Sequence, residues 1–220
     1  MIGNSIAGIL GVSGLVNSTA IAVSHTTTPY ISAYPWSATG FGTKYSNPAT
    51  LPGTSGNGVS FSPSKDYIAV AHSSSPTISA YPWLAAGFGT KVANPATGTG
   101  FVNGASVAFS PLGNYIAVGG TTTNFIAAYA WSAGFGTKIT NPATLPTNNG
   151  FGVAWKPQQD AIAVAHASSP YVSAYPWTTG FGTKYANPAT LPTGTGNGVA
   201  FTPAGDAIAI AHTTPPFISA

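Results

Sequence analysis

Near-identical segments recur every 46 to 48 residues, glycine and proline stand inside each of them, and no window sustains a 3.6-residue apolar period. Together these observations predict an all-β fold: a β-propeller of four-stranded antiparallel blades, five blades in number. The tripeptide Ile-Ala-Val begins at Ile21, Ile68, Ile116 and Ile162, and Ile-Ala-Ile begins at Ile208. One blade cannot bury both of its faces, whereas radial stacking covers each face with the next blade. A helical repeat fails on the internal Gly and Pro. A parallel β-helix needs shorter coils, and a sandwich puts its strands in inequivalent places that require no constant spacing.

The units run approximately over residues 1–57, 58–105, 106–151, 152–197 and 198–220 of a single domain, the last unit being incomplete. Segment A carries Val59 and Phe61, Val107 and Phe109, Val153 and Trp155, or Val199 and Phe201, alternating with small residues as a half-buried strand does. In the first unit Val12 aligns with Val59, but Gly14 stands where Phe61 would be. Segment B, Tyr67 to His72 in the second unit, follows turns such as Pro111-Leu112-Gly113-Asn114. Its Ile and Val on one side and Ala on the other predict a strand buried on both faces, with Ala permitting close approach of a neighbouring sheet.

Segment C, Thr77 to Tyr81, ends at Pro82-Trp83, where Pro lacks a ladder donor. The repeated Tyr-Pro-Trp at 34–36, 81–83 and 175–177, varied to Tyr129-Ala130-Trp131, is expected to pack between blades. Segment D, Phe88 to Val92, carries a Lys that recurs at Lys44, Lys91, Lys138 and Lys184, a residue suited to blunting an outer edge. The fifth unit halts at Phe217-Ile218-Ser219-Ala220, before the expected Tyr-Pro-Trp. Two readings follow. Residues such as Ser5 to Leu10 supply the missing outer strand and close a five-bladed ring, or the chain belongs to a longer array or self-associates to complete one.

The pattern Val-x-Phe-Ser-Pro-x-Lys/Gly-x-Tyr-Ile-Ala-Val at Val59 to Val70 and Val107 to Val118 resembles WD40-like repeat propellers across essentially the whole chain. The Gly-His and Trp-Asp dipeptides of standard WD40 units are replaced, Trp83 being followed by Leu84 and Trp36 by Ser37. The regular, charge-poor version is similar to repeat proteins of phages and environmental bacteria. That resemblance implies a module that decorates virions or binds surfaces.

Composition narrows the function. The six cationic residues are all Lys, the three acids are all Asp, and the net charge is only +3. Dispersed Lys without Arg gives no dense phosphate-neutralising patch, so nucleic acid is not an expected partner. Cys is absent, which excludes disulfides, thiolate metal sites and a Cys nucleophile. Residues 1–16 are apolar but interrupted by Gly3, Asn4, Gly8 and Gly11, so no membrane insertion is expected. The hydroxyl-rich, charge-poor surface leans to an extracellular or virion setting.

His25, His72, His166 and His212 share one repeat position, taken by Gly120 in the third unit. Blade spacing keeps such equivalents too far apart for a common metal, so no metal or cofactor is expected, and a recurring structural hydrogen bond to the following loop is the expected role. Asp66, Asp160 and Asp206 occupy equivalent turns with no second acid nearby in sequence, against paired-carboxylate chemistry. No Gly-x-Ser-x-Gly elbow or phosphate loop is present.

No enzyme is therefore expected. The expected function is protein binding or structural, with multivalent glycan binding as the alternative. The candidate surface consists of the B–C and D–A loops, which emerge at one end of the blades: His25, Thr26, His72, Ser73, Asn103, Thr121, Asn124, His166, Asn197, His212 and Thr213.

Overall fold

The structure, a computed structural model, describes residues 19–220. It consists of five small antiparallel sheets that pack in sequence order. Sheet 1 contains β1 (Ala20–Ser24), β2 (Ile31–Ser37) and β3 (Gly40–Phe41); sheet 2 contains β4 (Gly56–Phe61), β5 (Tyr67–His72), β6 (Ile78–Leu84) and β7 (Gly87–Phe88). Sheet 3 is built from β8 (Asn103–Phe109), β9 (Tyr115–Thr121), β10 (Ile126–Trp131) and β11 (Phe135–Lys138). Sheet 4 follows with β12 (Gly150–Trp155), β13 (Ala161–His166) and β14 (Val172–Pro176), and sheet 5 with β15 (Gly196–Phe201), β16 (Ile208–His212) and β17 (Ile218–Ser219).

The expected four strands per blade are met in two sheets. Sheet 4 reduces its outer strand to a single bridge, Trp177 to Phe181. The cause is local: the Gly182 N–H donates to the Pro176 carbonyl, but Pro176 has no N–H to donate back to the outer strand. Gly42 and Gly89 make the same return to Pro35 and Pro82, which shortens β3 and β7 to two residues each. Sheet 3 has Ala130 in place of that Pro, and there the outer strand extends to Lys138. Segment D is thus shorter than the sequence predicts wherever Pro ends segment C. Val12, Gly14 and the Ser5 to Leu10 closing strand lie outside the described residues.

Register explains the packing. Ile68 pairs with Tyr81 and Val70 with Ser79, so these residues share one face with Val59 and Phe61. Ala69 pairs with Ala80, which puts the alanines on the other. Each sheet therefore has a large face and a small face, and the large face of one sheet packs on the small face of the sheet before it. Ile116, Val118, Tyr129 and Trp131 of sheet 3 meet Ala69, Ala71, Ile78 and Ala80 of sheet 2. Ile162, Val164, Tyr175 and Trp177 of sheet 4 meet Ala117, Ile126 and Ala128 of sheet 3. Large side chains seated on alanine fill the interlayer at the density of a protein interior.

Tryptophan closes the outer part of each junction. Trp83 stands edge-on to Phe61 and Phe88 of its own sheet and to Tyr45 of the preceding unit. Trp131 repeats this with Phe109, Phe135 and Tyr67, and Trp177 with Trp155, Phe181 and Tyr115. The neighbouring Tyr hydroxyls donate to loop carbonyls 31 or 32 residues earlier: Tyr81 to Thr50, Tyr129 to Thr97 and Tyr175 to Thr144.

At the inner end, sheets approach through glycine. A Cβ on Gly150 would enter the carbonyl of Phe125 in the preceding sheet, and the same holds for Gly104 against Thr77. Phe125 and Thr77 both sit at positive φ, which aims these carbonyls at the next sheet.

The two ends of the stack differ from its middle. Val23 and Trp36 on the large face of sheet 1 are 48% and 43% exposed, against 0% and 1% for their equivalents Val70 and Trp83. On the small face of sheet 5, Ala207 and Ala211 are exposed and Ile218 is 59% exposed, against 0% for Ile78. Among the described residues nothing covers these two faces.

Candidate binding surface

The histidines turn back onto the next strand. Nε2 of His25, His72, His166 and His212 shares a hydrogen bond with the hydroxyl of Ser32, Ser79, Ser173 and Ser219, at 2.9 to 3.1 Å. The Nε2 partner lies on segment C, seven residues on. His72, His166 and His212 are buried. Thr147 and Thr193 offer hydroxyls to the Nδ1 of His166 and His212 at 3.3 and 3.5 Å. Gly53 occupies that place in sheet 2 and leaves His72 Nδ1 with no hydrogen-bond partner.

Burial, with Lys91 adding to it, pushes His72 down to about 4, and burial also lowers His166. Both rings are neutral at pH 7 and are committed to the fold. Sheet 3 lacks the whole chain of polar groups, because Phe101, Gly120 and Ala127 stand where Thr147, His166 and Ser173 stand in sheet 4. The Phe101 ring fills the histidine's space: a Cβ on Gly120 would lie 2.6 Å from its Cγ.

The remaining predicted residues fall on the loop rim. Asn57 Nδ2 donates to Asn103 Oδ1 at 2.7 Å and to the Gly104 carbonyl at 2.9 Å, and Ser73 Oγ donates to Asn103 Oδ1 at 2.9 Å. These contacts join sheets 2 and 3. Asn149 Oδ1 accepts from Thr122 N at 3.3 Å, Ser55 Oγ donates to the Thr26 carbonyl at 3.4 Å, and Thr195 Oγ1 donates to the Ala167 carbonyl at 3.1 Å. Thr121 pairs with Asn103 at the end of β9, and Asn124 sits in the following turn at φ 82°. Asn197 and Thr213 are exposed, Thr213 N donating to the Thr195 carbonyl at 3.1 Å.

The structure thus brings Ser73 and Asn103 together and withdraws the buried histidines behind the rim. Asn57 and Asn149, absent from the predicted set, are the residues that tie adjacent loops. Their signal in the sequence is the polar residue that flanks the invariant-position glycine opening segment A, at Gly56 and Gly150.

The acids are also spoken for. Asp66 accepts from Ser62 Oγ at 2.7 Å and from Ser64 Oγ, Asp206 accepts from Thr202 Oγ1 at 2.6 Å, and Asp160 pairs with Lys156 at 3.0 Å. Their partner is a side chain four residues earlier. In two turns that hydroxyl in turn accepts the N–H of the Asp itself. Among the described residues no group of three His, Cys, Asp or Glu side chains is placed to hold a metal, and no helix is long and apolar enough to cross a membrane. A cleft of about 590 Å³ lies away from the rim at the outer edge of β11, beside Thr97, Thr137, Lys138 and Asn141.

Solved structures supply the context for this geometry. The chain is similar to hydrazine synthase of Kuenenia stuttgartiensis, with a TM-score of 0.68 over 95% of this chain and 12% identity. It is also similar to a chain of the nidogen/laminin complex, with a TM-score of 0.61 over 88% of this chain and again 12% identity. The likeness is one of fold. Both are propeller-containing proteins, and the five sequential sheets here are propeller-like in the same sense. The chain spans 60% of the hydrazine synthase chain and 69% of the other. No protein-family model matches the sequence, and no curated protein matches it.

Proposed function

We propose that the chain is a non-catalytic, propeller-type module for binding or structural support, its five sheets being blades and its polar loop rim the contact surface. One observation carries this reading: the titratable groups that recur through the repeat are used up in recurring structural bonds. The histidines are held by Ser and Thr, and the aspartates by a hydroxyl or Lys four residues earlier. Enzymes on repeated folds need one place where repetition breaks to assemble a reactive set. The main break here, Phe101 with Gly120 and Ala127, replaces polar groups by apolar ones. The uncharged rim suits an extracellular or virion surface.

The test combines turnover and binding. The purified chain is assayed on chromogenic ester, phosphoester and glycoside substrates and titrated on a glycan array, next to Asn57→Ala/Asn103→Ala. No turnover is expected. Turnover that disappears on replacing a single unrepeated residue overturns the reading, and saturable glycan binding lost in the double variant reassigns the module to carbohydrate recognition.

A further inference from the structure

The six lysines and three aspartates are not mixed over the surface. Lys65 and Lys156 stand in or beside the A–B turns together with all three aspartates, and Lys156 pairs with Asp160 at 3.0 Å. Lys44, Lys91, Lys138 and Lys184 belong to segment D, and among the described residues none of them has an acid within ion-pair distance. The net charge of +3 is therefore the surplus of these four cations over A–B turns whose own charges nearly cancel.

Three of the four share one arrangement. β3 and β7 end at Phe41 and Phe88, and the bridge of sheet 4 ends at Phe181, so Lys44, Lys91 and Lys184 lie past the outer strand and not on the edge that the sequence assigns them to blunt. The residue after each donates its N–H to a segment C alanine: Tyr45 to Ala33, Val92 to Ala80 and Tyr185 to Ala174, at 2.8 to 2.9 Å. That bond holds the lysines in equivalent places. Each ammonium donates to Oδ1 of the asparagine three residues on, Asn47, Asn94 or Asn187. These asparagines are exposed, and so is the threonine before each lysine, Thr43, Thr90 or Thr183.

The chemistry of this group is one-sided. The amide oxygen of the Asn is taken by the Lys, which leaves Nδ2 to donate, and the ammonium is held by a neutral acceptor that does not cancel its charge. Donors and positive charge thus face solvent together. An oxyanion accepts from both nitrogens in charge-assisted hydrogen bonds, while the Thr hydroxyl suits the hydroxyls that flank an acidic group on a sugar. Sheet 3 departs from the arrangement: Lys138 Nζ donates to the carbonyls of Gly98 and Thr99 at 3.1 and 2.9 Å, and Asn141 Oδ1 has no partner.

We propose that the Thr-Lys and Asn groups at Thr43, Lys44 and Asn47, and at the equivalent places in sheets 2 and 4, are anion-binding sites for an acidic polysaccharide, whose carboxylate or sulfate groups are held by Lys Nζ and Asn Nδ2. One exposed contact of this kind is worth little in water. Repetition from sheet to sheet lets a polymer that carries its charges at intervals engage several at once. Lys without Arg supplies point charges without the fork donors that phosphate backbones and bases favour, and the aromatic rings beside segment D are used between sheets, so nucleic acid finds no stacking platform here. These sites lie outside the loop rim and do not depend on the rim being a binding surface.

The whole chain is titrated by calorimetry with polygalacturonate, heparin, neutral dextran and a single-stranded DNA oligonucleotide. Saturable binding of polygalacturonate or heparin is expected, the tighter of the two showing whether the sites take carboxylate or sulfate, and dextran does not bind. Binding weakens as NaCl is raised from about 50 to about 500 mM. Lys44→Gln/Lys91→Gln/Lys184→Gln lowers the affinity about tenfold or more. Asn47→Asp/Asn94→Asp/Asn187→Asp, which keeps every lysine but replaces the amide donors by acceptors, lowers it as well. Lys65→Gln/Lys156→Gln in the A–B turns leaves it unchanged, and so does Asn57→Ala/Asn103→Ala, which separates these sites from the rim. Thermal unfolding of each variant checks that it is folded. Absence of binding to both acidic polymers, an equal loss in the Lys65/Lys156 variant, or tighter binding of the oligonucleotide overturns the proposal.

Discussion

Sheet 3 offers a direct test of how the repeat keeps its interior filled. Gly120→His alone drives an imidazole into the Phe101 ring, with Cβ already 2.6 Å from Phe101 Cγ and 2.7 Å from the Asn103 carbonyl. Overpacking of this kind costs about 1–3 kcal/mol or more. Phe101→Thr alone removes a side chain that is 7% exposed, at a cost of about 3 kcal/mol from lost transfer and cavity terms. If the sites were independent, the losses would add to roughly 5 kcal/mol. The triple variant Phe101→Thr/Gly120→His/Ala127→Ser instead rebuilds the arrangement of sheet 4, where Thr147, His166 and Ser173 are linked at 3.3 and 3.0 Å. Its stability is expected within about 1 kcal/mol of the parent, a coupling of several kcal/mol. At about 2–4 °C per kcal/mol for a chain of this size, each single variant lowers Tm by roughly 2–12 °C and the triple by about 4 °C at most. Calorimetry at pH 7.5 reads both. A triple variant as unstable as the sum of its parts would refute the exchange of one aromatic ring for one imidazole.

Three further outcomes follow from the same geometry. His72 has a folded pKa of about 4 against an ordinary 6.5, so the unfolded chain takes up its proton first. Stability is then full above about pH 6.5 and falls by roughly 3 kcal/mol toward pH 4; urea titrations across this range should show the slope, and His72→Gln should flatten it. Gly150→Ala should cost about 1–3 kcal/mol or more through contact with the Phe125 carbonyl. Gly198→Ala, whose Cβ would first meet Ala211 Cβ at 3.8 Å, should leave the urea midpoint unchanged or slightly higher. Trp83→Ala, at 1% exposure, should cost about 3–5 kcal/mol, and Trp36→Ala, at 43% exposure, less than half as much; equal losses in calorimetry would mean that sheet 1 is covered in solution.

Much of the architecture is legible because each unit states it again. The alternation of Ile, Val and Ala in segment B encodes both faces of the strand, and Tyr-Pro-Trp encodes the outer aromatic seam. The histidine partners were legible as well, in a signal that lies outside segment B: Ser stands seven residues after each of His25, His72, His166 and His212, and Ala127 stands seven after Gly120. Their joint loss in sheet 3, together with the appearance of Phe101, is a covariation visible within one chain.

Other features are set by local backbone that the residue types understate. Thr77 and Phe125 hold positive φ although neither is Gly or Asn, and Tyr30, Tyr171 and Phe217 do the same at the equivalent position, so this backbone belongs to the B–C turn itself. The truncation of segment D turns on whether Pro or Ala ends segment C, because Pro35, Pro82 and Pro176 accept the glycine N–H but have no N–H of their own to complete the pair.

The large and small faces also give the stack a direction. A sheet with bulky side chains on both faces would leave voids or clashes against an identical neighbour, and one with alanine on both would bury too little apolar surface to hold it. Dividing the two roles between faces lets one sequence serve every junction, since each copy supplies knobs to one neighbour and a seat to the other. The same division means that the two ends cannot be alike. Sheet 1 presents Val23 and Trp36, a surface of knobs, and sheet 5 presents Ala207 and Ala211, a surface of seats. Any sheet of the same repeat type laid on either end must therefore arrive with the opposite face forward, so growth or closure of this stack is head to tail, and two like ends brought together do not fit.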